Sequence, residues 1–151
     1  MTETTVYLVR HGQIDANVER RWFGSTDSSL NAKGQQQADR LASLFKKQYP
    51  TITASYSSPL KRTMSTAKGL TGEFFEPAKA HPGLREYAIG EFEGQHFDVL
   101  HAEHRFFDKV AADADYAPSG GESVNQVRDR MLATLEELRL GHVGEEIAVI
   151  S

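Results

Sequence analysis

Cysteine is missing from the chain altogether, which excludes disulfide bridges and thiolate metal sites and fits a reducing cytoplasm. Long hydrophobic runs are missing too: no apolar stretch approaches the roughly 18 residues a membrane helix needs. The opening Met1-Thr2-Glu3-Thr4-Thr5 lacks the basic start of a secretory signal, so a cytoplasmic protein with no membrane partner is expected. Positive charge is scarce. The 17 Lys and Arg against 21 Asp and Glu leave a net charge of −4. That balance speaks against nucleic acid as a partner, which would need a clustered basic footprint. Neither a Walker A loop nor a G-x-G-x-x-G fingerprint occurs, which disfavours nucleotide binding of those kinds.

What is present is ordinary for a soluble globular protein: 39% hydrophobic and 25% charged residues over 151 positions, enough for one domain with a real core. The informative feature is Arg10-His11-Gly12, set directly behind the apolar run Val6-Tyr7-Leu8-Val9. Such a run reads as a buried parallel strand, and in open α/β sheets ligands sit beyond the carboxyl ends of strands. The arginine offers a planar fork for phosphate oxygens. A neutral imidazole is a competent nucleophile, and glycine lets the backbone approach a ligand. Taken alone, the tripeptide could equally be a strand end with incidental polar residues.

Along the chain, Thr4 to Val9 reads as the first strand and Arg10 to Leu30 as a long loop. Asn31 is the expected N-cap of a helix to about Gln48 with Ala38, Leu41, Leu44 and Phe45 as its apolar stripe. Gly34 inside it costs about 1 kcal/mol against alanine, which close packing is expected to compensate. Thr51 to Ser57 is a second strand, and Ser58 with Pro59 is expected to open a helix whose first turn carries Arg62. Its N-terminus would then aim N–H groups and a guanidinium at an anion. Residues 72–83 are punctuated by Pro and Gly, with a short strand near Pro77 to His81. Helices are expected from Phe97 to about Val110 and from Ser123 to Leu140, the latter presenting Val124, Val127, Met131 and Leu138 on one face. Ile147 to Ser151 is the last strand. The alternation predicts α/β: a mostly parallel sheet between helices, a three-layer α/β/α sandwich.

Five ordered segments resemble the histidine phosphatase superfamily, the phosphoglycerate mutase-like proteins. They are Leu8-Val9-Arg10-His11-Gly12-Gln13 with Asn17; Gly24 to Ala38; Tyr56-Ser57-Ser58-Pro59-Leu60-Lys61-Arg62-Thr63 with Thr66-Ala67; Leu84 to Gly94; and Gly120-Gly121-Glu122-Ser123. The last two are most similar to the phosphatases acting on α-ribazole 5′-phosphate in cobalamin biosynthesis. The resemblance implies a single phosphatase domain over 1–151, incomplete at its C-terminus. The family's second catalytic histidine is expected directly after Ser151, and the final strand and helix are not in the sequence.

The resemblance implies that His11 is the nucleophile, forming a phosphohistidine, and that Arg10 and Arg62 clamp the phosphoryl oxygens. Glu86 takes the general-acid position, with Glu91, Glu93 and Glu122 as competing carboxylates by composition. Asn17, Gly24 and Ser25 carry over as substrate-contacting positions. No metal and no cofactor is implied. His101 and His104, one helical turn apart, read as a helix face near the pocket mouth rather than a metal site. Trp22 and Phe23 could stack on an aromatic leaving group or anchor the core. Arg20, Arg21, Lys61 and Arg85 add positive charge in or near the motif segments.

The expected function is thus a phosphomonoesterase, with α-ribazole 5′-phosphate as substrate. A broad-specificity phosphatase and a phosphoglycerate mutase are the enzymatic alternatives. A phosphate-binding pseudoenzyme is the non-enzymatic one if the polypeptide ends at Ser151. The expected partner is a small-molecule phosphomonoester, and a homodimer is left open.

Overall fold

The structure, a computed structural model, describes residues 3–70 and 77–151. Strand β1 (Thr5–Val9) is followed by the one-turn helix α1 (Asp15–Val18), helix α2 (Ala32–Gln48), strand β2 (Ile52–Ser57), helix α3 (Lys61–Ala67) and the two-residue strand β3 (Lys79–Ala80). Two 3-10 turns, Pro82–Leu84 and Gly90–Phe92, lead to α4 (Phe97–Ala102), α5 (Phe106–Ala112), α6 (Val124–Gly141) and β4 (Glu146–Ile150). The strands form one parallel sheet in the order β1-β4-β2-β3.

Strand β4 shows why this sheet needs helices on both faces. Its Ile147 to Ile150 are all buried, as expected for a central parallel strand. Alternation sends Ile147 and Val149 against Leu138, Met131 and Leu135 of α6, and Ala148 and Ile150 against Phe45 and Leu41 of α2, Ala67 of α3 and Leu70 just after it. Burying each such Val, Ile or Leu contributes about 1.5–3 kcal/mol. A third cluster of Ile89, Phe92, Leu100 and Phe106, with Trp22 and Phe107 packed against it, lies beneath the loops.

Several local expectations shift. β1 is an edge strand among the described residues, pairing with β4 only, and its Leu8 is 72% exposed. An apolar run reads alike at edge and centre, because pairing is not written in periodicity. The loop after β1 contains α1. On α2, Asn31 caps as expected, its side-chain oxygen accepting from Gly34 N–H at 2.9 Å, but Leu44 lies off the buried stripe and is exposed.

Helix α3 starts two residues later than Ser58-Pro59 suggested. Ser58 still donates its N–H to the Ile150 carbonyl at 2.9 Å, so it prolongs the sheet. The cap comes instead from Asp27, which accepts from Lys61 N–H at 2.8 Å. That N–H is therefore spent on the Asp27 carboxylate rather than aimed at a bound phosphate.

The helix expected over Phe97 to Val110 is two helices, broken at Arg105 in the left-handed region (φ 47°). The break lets Leu100 and Phe106 turn into the same cluster. Val124 of α6 is exposed at 37% and leaves the packed face to Met131, Leu135 and Leu138. The strand expected near Pro77 to His81 is β3, paired to Tyr56 and Ser57. The part of that expectation covering 72–76 lies outside the described residues.

Register fixes where the site must be. Val9, Ile150 and Ser57 lie in one row across β1, β4 and β2, so Arg10-His11, Ser151 and Ser58 emerge together at the carboxyl end of the sheet.

Candidate active site

The backbone around His11 is pinned at Val9, at His11 and at Gly12. The His11 N–H donates to the Ser151 carbonyl at 3.0 Å, and Ser151 N–H donates to the Val9 carbonyl at 3.1 Å, so the strand ladder runs on past the strand ends. Gly12 N–H donates to Thr66 Oγ1 at 3.0 Å, and that hydroxyl donates to the Arg62 carbonyl at 2.8 Å. Gly12 also lies face to face with Gly34. A Cβ on Gly12 would come within 3.1 Å of the Gly34 carbonyl carbon, and one on Gly34 within 2.9 Å of the Gln13 carbonyl carbon. The mid-helix glycine thus has its packing reason: α2 is pressed against the loop that carries His11.

The imidazole itself is oriented by Gly12. Nδ1 lies 2.7 Å from the Gly12 carbonyl oxygen. A carbonyl only accepts, so Nδ1 carries the proton and Nε2 keeps its lone pair. Burial lowers the His11 pKa, and the Arg62 and Arg10 charges lower it further against the opposing Gly12 carbonyl and Glu86. The ring is neutral at pH 7 and nucleophilic at Nε2.

Arg62 is fully buried. Its Nη1 donates to the Thr26 carbonyl at 2.9 Å, and Nη2 donates to the Gly24 carbonyl at 2.6 Å and the Phe23 carbonyl at 3.2 Å. Nε has no partner among the described residues. Burial pulls its pKa below the ordinary arginine value while Glu86, Glu93 and Asp27 pull the other way. A buried cation with an orphaned donor is an uncompensated cost that an anion would relieve. The open guanidinium fork expected of Arg62 is not found: it has no exposed surface, it does not line the cavity described below, and only its Nε is left without a partner among the described residues. Arg10 is the exposed guanidinium, with no hydrogen-bond or ion-pair partner among the described residues.

Glu86 lies close enough to His11 and Arg62 for its charge to act on both. Its Oε1 accepts from the Tyr87 N–H at 2.9 Å. Together with Arg10, His11, Asn17 and Arg21 it forms the polar side of a cavity of about 240 Å³, while Ile14, Trp22, Phe23 and Phe97 form the apolar side. Trp22 lines the cavity and also anchors the cluster beneath the loops, its ring centroid 6.0 Å from those of Phe106 and Phe107.

Of the expected contact positions, Asn17 borders the cavity, with its Oδ1 accepting from Ile14 N–H at 2.9 Å. Gly24 and Ser25 are placed differently. Their donors are engaged by Glu93: Gly24 N–H at 3.0 Å, Ser25 N–H at 3.0 Å and Ser25 Oγ at 3.2 Å. The same carboxylate accepts from the Thr26 N–H and hydroxyl and from Ile89 N–H. Burial alone would raise the Glu93 carboxyl, but the Thr26 hydroxyl and the surrounding N–H groups outweigh it and hold it below the usual range. Glu93 therefore folds the loop whose carbonyls hold Arg62. Composition marked Glu93 only as a competing carboxylate. Asp27 and Thr66 gave no local signal, because their partners lie 34 and 54 residues away. His104 packs its ring 4.6 Å from Phe92, and His101 lies 6.3 Å from Phe107. No group of three potential metal ligands gathers among the described residues.

Comparison with known proteins agrees with this geometry. A family model described as the histidine phosphatase superfamily (branch 1) matches residues 6–151. Phosphoglycerate mutase-like protein 4 of Arabidopsis thaliana is 33% identical over an alignment of 151 positions that covers 97% of this chain and 65% of that protein. A probable phosphoglycerate mutase, GpmB, of Escherichia coli O139:H28 is 38% identical over 136 residues, or 89% and 62% of the two chains. The chain thus spans under two thirds of the length of these curated relatives. Among solved structures, Bacillus stearothermophilus YhfR superposes with a TM-score of 0.84 at 33% identity, covering 98% of this chain and 73% of that one. A phosphoglycerate mutase from Thermus thermophilus gives 0.74 at 30%, covering 95% and 75%.

Proposed function

The chain belongs to the histidine phosphatase superfamily, branch 1, and from that premise we propose that the whole protein hydrolyses phosphomonoesters through a phosphohistidine on His11. The observation that carries the reading is the fixed imidazole: Nδ1 donates to Gly12, which leaves Nε2 unprotonated beside the Arg10 guanidinium in the same cavity. Uncatalysed monoester hydrolysis is slow enough that about 20 kcal/mol of barrier must be removed. Splitting the reaction into two displacements on phosphorus is one way to remove it.

In the first step His11 Nε2 bonds to phosphorus while the bond to the ester oxygen breaks, and Glu86 gives its proton to that leaving oxygen. A phosphate dianion beside Glu86 favours the protonated carboxyl needed for this. In the second step Glu86, now a carboxylate, takes a proton from water. The water oxygen bonds to phosphorus, the phosphorus–nitrogen bond breaks, and neutral His11 returns with inorganic phosphate. Arg10 and the Nε of Arg62 hold the phosphoryl oxygens, each charge-assisted contact contributing about 1.5–3 kcal/mol.

For the leaving group we propose an aromatic, base-bearing one, with α-ribazole 5′-phosphate as the preferred substrate over 3-phosphoglycerate. Two observations support it: the apolar wall of Trp22, Phe23 and Phe97, and the likeness of Leu84 to Gly94 and Gly120 to Ser123 to that phosphatase branch. Stacking on one ring is worth about 1–3 kcal/mol. The mutase reading is favoured by the names of the relatives from A. thaliana and E. coli.

Two measurements test the reaction and a third the substrate. Acid-sparing quench of the whole protein with labelled ester should leave acid-labile phosphate on His11, and phosphate on serine or aspartate instead would overturn the nucleophile. Phosphate release without a bisphosphate primer separates phosphatase from mutase. A kcat/KM series over α-ribazole 5′-phosphate, phosphoglycerates, sugar phosphates and nucleotides decides the substrate.

A further inference from the structure

We infer that Arg130 is a positioning residue for the proton donor: with Glu122 it forms a yoke that holds Glu86 at the leaving oxygen. The inference rests on the phosphatase reading above.

Glu86 sits in an irregular stretch between the two 3-10 turns, where no helix or strand ladder fixes the backbone. The fixing comes from α6. The Arg130 Nη1 donates to the carbonyl of Arg85 at 2.8 Å and to that of Gly83 at 2.9 Å. The first of these is the peptide oxygen immediately preceding Glu86. The other edge of the same guanidinium, Nε and Nη2, donates to the two oxygens of Glu122, each at 2.8 Å. Glu122 Oε2 then accepts from the Ala88 N–H at 3.2 Å, two residues past Glu86. The segment is therefore gripped on both sides of its acid by one planar cation and its carboxylate.

The Gly-Gly-Glu-Ser segment has its physical explanation in this grip. Glu122 N–H donates to the Ala88 carbonyl at 2.8 Å, so Glu122 meets Ala88 through both backbone and side chain. That approach needs the glycines: Gly120 is at φ +70°, and a Cβ on Gly121 would come within 2.8 Å of the Ala88 carbonyl oxygen. Ser123 then caps α6, its Oγ accepting from Gln126 N–H at 3.1 Å, and α6 brings Arg130 back onto Glu122. Burial would raise the Glu122 carboxyl, but Arg130 and the Ala88 N–H hold it below the usual range, so the pair stays ionised. Neither residue borders the cavity. They act through Glu86, where a displacement of about 1 Å is enough to weaken proton transfer severely. Lysine could not replace the arginine, because a point charge cannot serve two carbonyls and two carboxylate oxygens in one plane.

The test is dependence on the leaving group. An alkyl ester needs its leaving oxygen protonated, whereas p-nitrophenolate leaves p-nitrophenyl phosphate without a proton. In the whole protein Arg130→Gln should lower kcat/KM, which reports only the steps up to phosphoryl transfer to His11, by about tenfold more for an alkyl phosphate than for p-nitrophenyl phosphate. By hydrogen exchange, the Ala88 amide should open about tenfold faster, while the Ser25 and Thr26 amides held by Glu93 keep their protection. If Arg130→Gln does not fold, Glu122→Gln, which keeps the shape, is read the same way. Equal losses on both esters, or an unchanged Ala88 amide, would overturn the inference while the phosphatase reading stands. A wild-type protein inert on both esters would overturn the two together.

Discussion

Glu93 and Glu122 are two carboxylates of similar setting with different duties. Both are partly buried, both are held below the usual carboxylate range, and neither borders the cavity. Glu93 faces only N–H groups and hydroxyls from one loop and Ile89. Its charge reaches Arg62 through that loop and adds to the field that keeps the guanidinium ionised. Glu122 instead pairs with Arg130 and shares it with two carbonyls. In the proposed mechanism the first arrangement supports the anion clamp and the second sets the acid. A carboxylate with no cation beside it can be replaced only by leaving many donors bare. One paired in a fork can be altered with a milder, directional loss.

The largest effect expected from breaking this comparison is at Glu93. Glu93→Leu strands several buried N–H groups, each costing about 1–3 kcal/mol, and loosens the loop under Arg62. A stability loss of at least about 3 kcal/mol in urea denaturation is expected, with activity falling on every ester alike. A loss under about 1 kcal/mol would show that the loop stands without Glu93. Next comes Glu122→Gln. It keeps one acceptor oxygen, and its ion pair is only three-quarters buried (side-chain exposures 22% and 26%). About 1–2 kcal/mol is expected after allowing for solvent screening, and a loss as large as that of Glu93→Leu would erase the distinction.

Much of this architecture was legible in the sequence, and the gaps have a common cause. The strand ahead of Arg10-His11-Gly12, the capping by Asn31, the helix beginning near Ser123 and the nearness of His11 to Glu86 all rest on local patterns or on motif order. What stayed hidden is carried by long-range partners. Asp27 caps α3 from 34 residues away, so Ser58-Pro59 read as a helix start when Ser58 is still bonded to the sheet. Glu93 reaches back 67–69 residues to the loop, and nothing in its neighbours distinguishes it from Glu91. Gly24 and Ser25 were expected as substrate contacts, and nothing near them in sequence says that their donors go to Glu93 instead.

The two helix caps sharpen the same contrast on a smaller scale. Ser123→Ala removes a local cap on the acid side, and Asp27→Ala removes a distant one on the clamp side; each should cost about 1 kcal/mol. Only Asp27→Ala should also weaken vanadate binding, because it unties the Arg62 helix from the loop that holds its guanidinium. Equal vanadate affinity in the two variants would mean that the tie through Asp27 does not matter for the clamp.

The smallest effect lies between the two regions, at His11, and is visible only as a slope. Burial and the charges of Arg62 and Arg10 hold the imidazole below its ordinary value of 6.5 in the folded protein. Between that value and the lower folded one, the unfolded chain binds a proton that the folded chain does not. Folding stability must therefore fall as pH drops through this window and level off below it. The comparison is with His11→Asn, which keeps a polar side chain and removes this titration. In phosphate-free buffer, urea midpoints between about pH 7.5 and 5 should fall less steeply for His11→Asn than for the wild type. Bound phosphate should bring the two slopes closer together, since an anion beside the ring favours its protonated form and returns the folded pKa toward the ordinary value. Identical slopes in phosphate-free buffer would mean that the imidazole is not held neutral by its surroundings, and the nucleophile would then have to be set by the substrate rather than by the fold.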